Sequence, residues 1–147
     1  MKTAADVMTK NVIAVTEDAT VREAGQAMID NGVSGLVVLN AAGALAGVVS
    51  ESDLMNTGRR RNALPRTAIF GLSPVKEDVL LRAYEDGLAL RVGDVMTRKV
   101  VSASPSDTLE TLASILVRKR INRIPVVDGG KVVGIVTRED VLRGMLA

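Results

Sequence analysis

An internal repeat constrains the fold of this chain more than any other feature of its 147 residues. The letters DVMT at Asp6–Thr9 return unchanged at Asp94–Thr97, a shift of 88 positions. After a one-residue deletion in a turn, the shift becomes 87 and aligns Gly47 with Gly134. A repeat of this length predicts two copies of one structural unit. Because each half alone would be marginally stable, we expect the copies to pack together.

Each copy predicts the same order of elements: a strand, a helix, a hairpin of two strands and a final helix. The first helix begins at a capping box, Thr20–Glu23, and Val21, Ala24 and Met28 share one face at helical spacing. Gly32 suits the end of that helix. The fold class is therefore α/β. The other predicted elements are strands at 12–15 and 100–103, a helix after Thr108, hairpins at 36–49 and 124–136, and final helices at about 51–57 and 138–146.

The segment between the copies has no counterpart in the repeat. Ser73-Pro74 is typical of a helix start, since Pro is favoured at the first helical position. We expect one extra helix there and a mobile loop at Arg59–Thr67. The predicted domains are residues 1–58, an inserted linker at 59–91, and residues 92–147.

Composition excludes several classes of function. Without Cys or His, the chain has no disulfide, thiol nucleophile, imidazole base or Cys/His zinc site, and it lacks a phosphate-binding P-loop sequence, so we predict that it is not an enzyme. The net charge of +2 is small for a general nucleic-acid binder, and Phe70 and Tyr84 alone make no stacking platform. The longest mostly apolar stretch, Leu36–Val49, is shorter than a bilayer span. We expect a cytoplasmic protein without membrane contact.

A second repeated pattern carries the candidate chemistry: Gly, two apolar residues, Ser or Thr, two residues, Asp. We call it the closing motif, and it occurs at Gly47–Asp53 and Gly134–Asp140. The Asp carboxylate can accept hydrogen bonds from both hydroxyls of a ribose, and a helix N-terminus offers free N–H groups to a phosphate. Ser50 or Thr137 would then lie near the link between sugar and phosphate. The same spacing is also a capping box that needs no ligand, and the two interpretations are compatible.

The two closing motifs differ in charge. The position after the hydroxyl residue is Arg138 in the second copy and Glu51 in the first, so a phosphate would be attracted in one and repelled in the other. We therefore favour Thr137 and Asp140 as the site for an anionic nucleotide. The equivalent pair, Ser50 and Asp53, is expected to bind more weakly, to stay empty or to hold a nucleoside.

The repeat resembles a tandem of cystathionine-beta-synthase-type (CBS) domains, also called a Bateman module. The resemblance rests on the two DVMT motifs, the two closing motifs and the sequence IPVVD at Ile124–Asp128. It implies two β-α-β-β-α units packed sheet to sheet about a pseudo-twofold axis, with clefts between the copies and a homodimer. It also implies a regulatory function: binding AMP, ADP, ATP or S-adenosylmethionine and signalling to a partner protein, with no required cofactor.

The resemblance also implies where the adenine base would lie: against the first strand and the segment before the hairpin of the second copy. These residues could equally be core residues. Arg side chains near the same segment are candidates for further phosphate contacts. The implied base contacts are Val100, Val101, Ser102, Asn122, Arg123, Ile124 and Pro125, and the phosphate candidates are Arg120, Arg123 and Arg138.

Two other functions remain open from the sequence. The repeat could be a ligand-independent dimerisation scaffold whose inserted segment recruits a partner. Alternatively, the run Arg59–Arg61 could contact nucleic acid, although such charge runs are usually solvated.

Overall fold

A computed structural model describes residues 1–56, 82 and 85–147 of the chain. The predicted loop at 59–67 and the predicted helix start at Ser73-Pro74 lie outside the described residues. The elements are α1 (Ala4–Val7), β1 (Ala14–Thr16), α2 (Val21–Asn31), β2 (Gly35–Leu39), β3 (Leu45–Ser50), α3 (Glu51–Met55), α4 (Val92–Val95), α5 (Leu109–Lys119), β4 (Arg123–Asp128), β5 (Lys131–Thr137) and α6 (Arg138–Leu146).

The long helix of each repeat begins after a threonine N-cap, although only one half of the capping box predicted at Thr20–Glu23 is present. In α2 the Thr20 hydroxyl accepts the N–H of Glu23, and in α5 the Thr108 hydroxyl accepts the N–H of Thr111. These caps satisfy backbone donors that have no partner in the first turn. The predicted apolar face of α2 is confirmed, since Val21, Ala24 and Met28 are buried. In α5, Leu112 and Leu116 are buried, whereas Leu109, at the same helical spacing, is half-buried.

The two repeats form different sheets. Strands β1, β2 and β3 make a three-stranded sheet in that order, whereas β4 and β5 make an antiparallel pair. The strand predicted at 100–103 is wrong, because only Ala103 forms an isolated parallel bridge, with Val126. Pro125 explains the difference: the next ladder bond would need its N–H, which proline lacks. The first repeat has Val37 at this position, so its ladder can continue and β1 forms.

Contacts divide the chain into two compact units that exchange the DVMT motifs. Unit 1 contains residues 1–13, 39–45 and 99–147, and unit 2 contains residues 14–38 and 46–98. In unit 1, Thr9 and Ile135 exchange backbone hydrogen bonds of 2.8 and 3.0 Å. In unit 2, Thr97 and Val48 do the same at 2.9 and 3.0 Å. Each DVMT motif therefore pairs with the hairpin of the other repeat. The domain boundaries given above, at residues 58/59 and 91/92, stay a prediction.

This exchange explains the glycine that opens each closing motif. A Cβ added at Gly47 would lie 2.5 Å from the Thr97 carbonyl oxygen, and a Cβ at Gly134 would overlap the Met8 side chain. Both glycines are buried on strands that a DVMT segment crosses. The glycine is thus required by the close approach of a neighbouring segment.

In the described residues, no helix has both the length and the apolar character needed to cross a membrane.

Each unit has its own apolar interior. The buried residues of the unit 1 core are Ala4, Ala103, Leu112, Leu116, Ile124, Val126, Val136 and Val141. Buried apolar residues of unit 2 include Val21, Ala24, Met28, Leu36, Val37, Val38, Val49, Val92, Val95 and Met96.

Candidate functional site

The closing motif of the second repeat forms a complete capping box where β5 runs directly into α6. The Thr137 hydroxyl accepts the N–H of Asp140 at 3.1 Å. In return, Oδ2 of Asp140 accepts the N–H of Thr137 at 2.9 Å. Both halves of the box are present, so the capping interpretation is realised in the structure. The box also fixes the Asp140 carboxylate at the N-terminus of a nine-residue helix.

Asp140 is the buried charged residue of the described chain, with 5% of its surface exposed. Its Oδ1 accepts a hydrogen bond from Nη1 of Arg143 at 3.3 Å. The Thr9 hydroxyl lies 3.3 Å from both carboxylate oxygens. The Thr9 contact exceeds the usual O–H···O range, so it is weak. A ligand hydroxyl could replace that contact without disturbing the capping box.

A cavity of about 300 Å³ in unit 1 has Asp140 among its lining residues, but its lining includes neither Thr137 nor any of the predicted base contacts. This volume is at the lower end of ligand pockets. Lys2 and Arg143 bring positive charge to its wall and Asp6 negative charge. The backbone N–H of Thr3 hydrogen-bonds the Asp6 carboxylate and, as the largest cause, lowers its pKa. Among residues the structure describes, no group of three or more acidic side chains is placed to hold a metal ion.

The first repeat has the same capping box in a different setting. The N–H of Asp53 donates to the Ser50 hydroxyl at 3.3 Å, and Oδ2 of Asp53 accepts the N–H of Ser50 at 2.9 Å. However, α3 has only five residues and buries none of them, and Asp53 is half-buried. The motif therefore fixes the local backbone in both repeats, but only Asp140 is held in a nearly dry environment.

Arg138, a predicted phosphate contact, has other partners in the structure. Its Nε donates to the Ile121 carbonyl at 3.1 Å and to Oδ1 of Asn122 at 3.2 Å. Its Nη2 donates to the Leu116 carbonyl at 3.3 Å. The guanidinium thus satisfies carbonyl groups at the C-terminus of α5. A phosphate at Arg138 would compete with these bonds, and its role in binding stays a prediction.

The predicted base contacts divide into buried and accessible residues. Ile124 and Pro125 are fully buried, which supports the core interpretation of their side chains. Ser102 and Asn122 are exposed. Val100, Val101 and Arg123 are half-buried, and Arg120 is exposed at the end of α5. Whether these residues touch a ligand stays a prediction.

Sequence reasoning missed Thr9 as a neighbour of Asp140. The two residues are 131 positions apart and meet because the DVMT segment is exchanged between the repeats. The doubled DVMT motif was the available signal, since it places a hydroxyl residue at the same position in each copy. Nothing in its spacing indicates which closing motif it contacts.

Comparison with known proteins identifies the family. The profile described as CBS domain matches residues 4–59 and 92–147, so the chain belongs to the CBS domain family. It is a protein with two CBS repeats and a mixed α/β fold. The uncharacterized protein MJ1426 of Methanocaldococcus jannaschii is 34% identical over 151 residues, which cover 96% of this chain and 89% of that protein.

A solved structure and a larger enzyme complete the comparison. The crystal structure of CBSX2 of Arabidopsis thaliana in complex with AMP has a TM-score of 0.76 and 30% identity, covering 99% of this chain and 97% of that one. Inosine-5'-monophosphate dehydrogenase of Nitrosopumilus maritimus is 27% identical over 142 residues. That match covers 96% of this chain but only 24% of the enzyme.

Proposed function

We propose that this protein binds an adenosine nucleotide through the closing motif of its second repeat and thereby regulates a partner protein, without catalysis of its own. The observation that carries the proposal is the Asp140 carboxylate, which is buried and is held by its capping box at the start of α6. The AMP bound to CBSX2 supports the ligand class. The predicted cytoplasmic location is part of the proposal, although CBSX2 is described as chloroplastic.

The chemistry of the motif suits a ribose followed by a phosphate. The hydroxyls of a ribose can donate to the carboxylate oxygens of Asp140, where the weak Thr9 contact is replaceable. The Thr137 hydroxyl already accepts the N–H of Asp140, so its hydrogen can point to a sugar or phosphate oxygen. The N-terminus of α6 favours an anion at the same place. AMP, ADP, ATP and S-adenosylmethionine all carry the required adenosine.

Regulation requires more than binding. A ligand shifts a conformational equilibrium only by its difference in affinity for the two states. The nucleotide must therefore bind more tightly to the conformation that the partner recognises. A ligand that bound both conformations equally would stabilise the protein without any signal.

The matched pair Asp140→Asn and Asp53→Asn tests the binding site. Isothermal titration with AMP, ADP, ATP, S-adenosylmethionine and adenosine should show binding of at least one ligand to the wild type. We expect Asp140→Asn to weaken it by at least about tenfold, since a charge-assisted bond to the ribose is lost. Asp53→Asn should change it by less than about threefold. Equal affinity in both variants, or no binding of any ligand to the wild type, would contradict the proposal.

A second pair of ligands tests the phosphate contact. If Arg138 turns from its carbonyl partners to the phosphate, Arg138→Gln should lower the affinity for AMP and leave the affinity for adenosine unchanged. An equal loss for both ligands would show that Arg138 acts through the end of α5 instead. Circular dichroism of each variant checks that its fold is intact.

The alternative of a ligand-independent interaction scaffold has support from exposed apolar residues such as Ile29, Met55 and Leu142. It predicts a thermal stability that does not respond to any adenosine ligand. The nucleic-acid interpretation of Arg59–Arg61 falls outside the described residues.

A further inference from the structure

The six methionines of this chain are its only sulfur-containing residues, because it has no cysteine. A hydroperoxide therefore finds no thiol, and the methionine thioethers are the sulfur atoms open to oxidation. All six lie in the part of the chain that the structure describes. Met1, Met55 and Met145 are 95%, 71% and 63% exposed, Met28 and Met96 are 4% and 6% exposed, and Met8 is half-buried.

Burial determines both how fast a methionine can react and what its oxidation would change. The three exposed side chains are open to a peroxide, but a polar oxygen on a side chain in water costs little. The two buried side chains are shielded by the apolar residues around them. Within the described chain, Met8 alone is a methionine that is partly accessible to solvent and is also packed against a core.

Met8 lies directly on a buried strand of the second repeat. Its Cβ, Cγ and Sδ all lie within 3.2 Å of the position that a Cβ of Gly134 would occupy. Gly134 is buried on β5, and its lack of a side chain makes room for the thioether. Met8 also packs against the unit 1 core, which includes Val136 and Val141. An oxygen added to Sδ brings bulk and polarity to this tight apolar contact.

The residue after Met8 links this contact to the candidate site. Thr9 and Ile135 exchange backbone hydrogen bonds of 2.8 and 3.0 Å. The Thr9 hydroxyl lies 3.3 Å from both carboxylate oxygens of Asp140. A displacement of Met8 therefore acts on the segment that pairs with β5 and contacts Asp140.

We propose that Met8 is a site of reversible oxidation, and that its sulfoxide loosens the DVMT segment of the first repeat from the hairpin of the second. The reactant is a hydroperoxide, such as hydrogen peroxide. One peroxide oxygen forms a bond to Sδ while the O–O bond breaks. The thioether is oxidised by two electrons to a sulfoxide, and the peroxide is reduced to water or an alcohol. This inference does not depend on nucleotide binding.

Peptide mass spectrometry of the wild-type protein, after graded exposure to hydrogen peroxide, gives the oxidised fraction at each methionine. We expect the exposed methionines to react first, Met8 next, and the buried Met28 and Met96 last. Met96 is the matched control, because it holds the same position in the other DVMT motif, against Gly47, and is buried. Met8 should react at least about tenfold faster than Met96. Equal rates at these two residues would overturn the proposal.

Hydrogen exchange of the oxidised wild type tests whether the segment is loosened. The Thr9 amide donates to the Ile135 carbonyl, and the Thr97 amide donates to the Val48 carbonyl in the other unit. Oxidation of Met8 should speed exchange of the Thr9 amide by at least about tenfold and leave the Thr97 amide unchanged. An unchanged Thr9 amide in protein with oxidised Met8 would refute the loosening.

Urea denaturation measures the cost of the sulfoxide. In Met55→Leu/Met145→Leu, peroxide should lower the urea midpoint by about 0.5 M. Reduction by the two epimer-specific methionine sulfoxide reductases, with a dithiol as reductant, should restore it. The matched control adds Met8→Leu, a substitution that conserves volume, and its midpoint should not respond to peroxide. An equal shift in the control would mean that another methionine carries the effect and would contradict the proposal.

Discussion

The two closing motifs have the same spacing and the same capping box, yet their carboxylates lie in different environments. Asp140 lies in the first turn of a nine-residue helix, is 5% exposed and contacts both Thr9 and Arg143. Asp53 lies in the first turn of a five-residue helix that has no fully buried residue. The motif therefore determines the local backbone, while the segments packed around it determine whether the carboxylate is dry and charge-compensated. Under the proposed function, its burial is what distinguishes Asp140 from Asp53 as the carboxylate that binds the ribose.

Of all the variants in this comparison, substitution of the two closing-motif glycines, Gly47 and Gly134, should change the free energy of unfolding most. At Gly47 the added Cβ meets the Thr97 carbonyl oxygen at 2.5 Å, so the backbone must move. At Gly134 it meets the flexible Met8 side chain. We expect Gly47→Ala to cost about 3 kcal/mol of unfolding free energy and Gly134→Ala about 1 kcal/mol. Urea denaturation measures both. A larger loss for Gly134→Ala than for Gly47→Ala would contradict the close approach of the Thr97 carbonyl to Gly47.

The double variant Gly134→Ala/Met8→Ala provides the control for the exchanged segment. Removing the Met8 side chain makes room for the new Cβ, so the two effects should be less than additive. Additive losses would show that Met8 and Gly134 do not touch.

The second comparison concerns the two carboxylates. Asp140→Ala removes half of a capping box and leaves the backbone N–H of Thr137 without its acceptor, so we expect a loss of about 2 kcal/mol. Asp53→Ala removes the equivalent cap at a less buried position, and its loss should be about 1 kcal/mol or less. Thermal and urea unfolding of both variants measure the difference. Equal losses would mean that burial adds nothing to the cap.

Much of the fold followed from the sequence because the repeat, the caps and the apolar faces are local signals. The helix starts at Thr20 and Thr108 were predictable from capping chemistry, as was the buried face of α2. The strand at 100–103 failed for a non-local reason. Whether it pairs depends on the N–H of the residue at 125 in a neighbouring strand, and that residue is proline.

The candidate site was predictable in its residues but not in its contacts. The spacing of Thr137 and Asp140 gave the capping box directly. The Thr9 contact depends on which hairpin the DVMT segment joins, and tertiary packing alone decides that. The partners of Arg138 were missed for a similar reason: charge indicated a phosphate, while the structure places the carbonyls of Leu116 and Ile121 within reach.

The smallest expected effect concerns the ends of the long helices. Gly32 ends α2 with φ 62°, and at the equivalent position Arg120 ends α5 with φ 53°, a left-handed conformation that is unfavourable for a residue with a Cβ. Arg120→Gly should therefore stabilise the protein by about 0.5–1 kcal/mol, and Gly32→Arg should destabilise it by about 1 kcal/mol. Urea denaturation measures both changes. Titration of Arg120→Gly with AMP and with adenosine then shows whether Arg120 also contacts a phosphate. Loss of a phosphate contact would lower the affinity for AMP alone, whereas relief of backbone strain would leave both affinities unchanged. A destabilised Arg120→Gly variant would mean that the Arg120 side chain contributes more than its strained backbone costs.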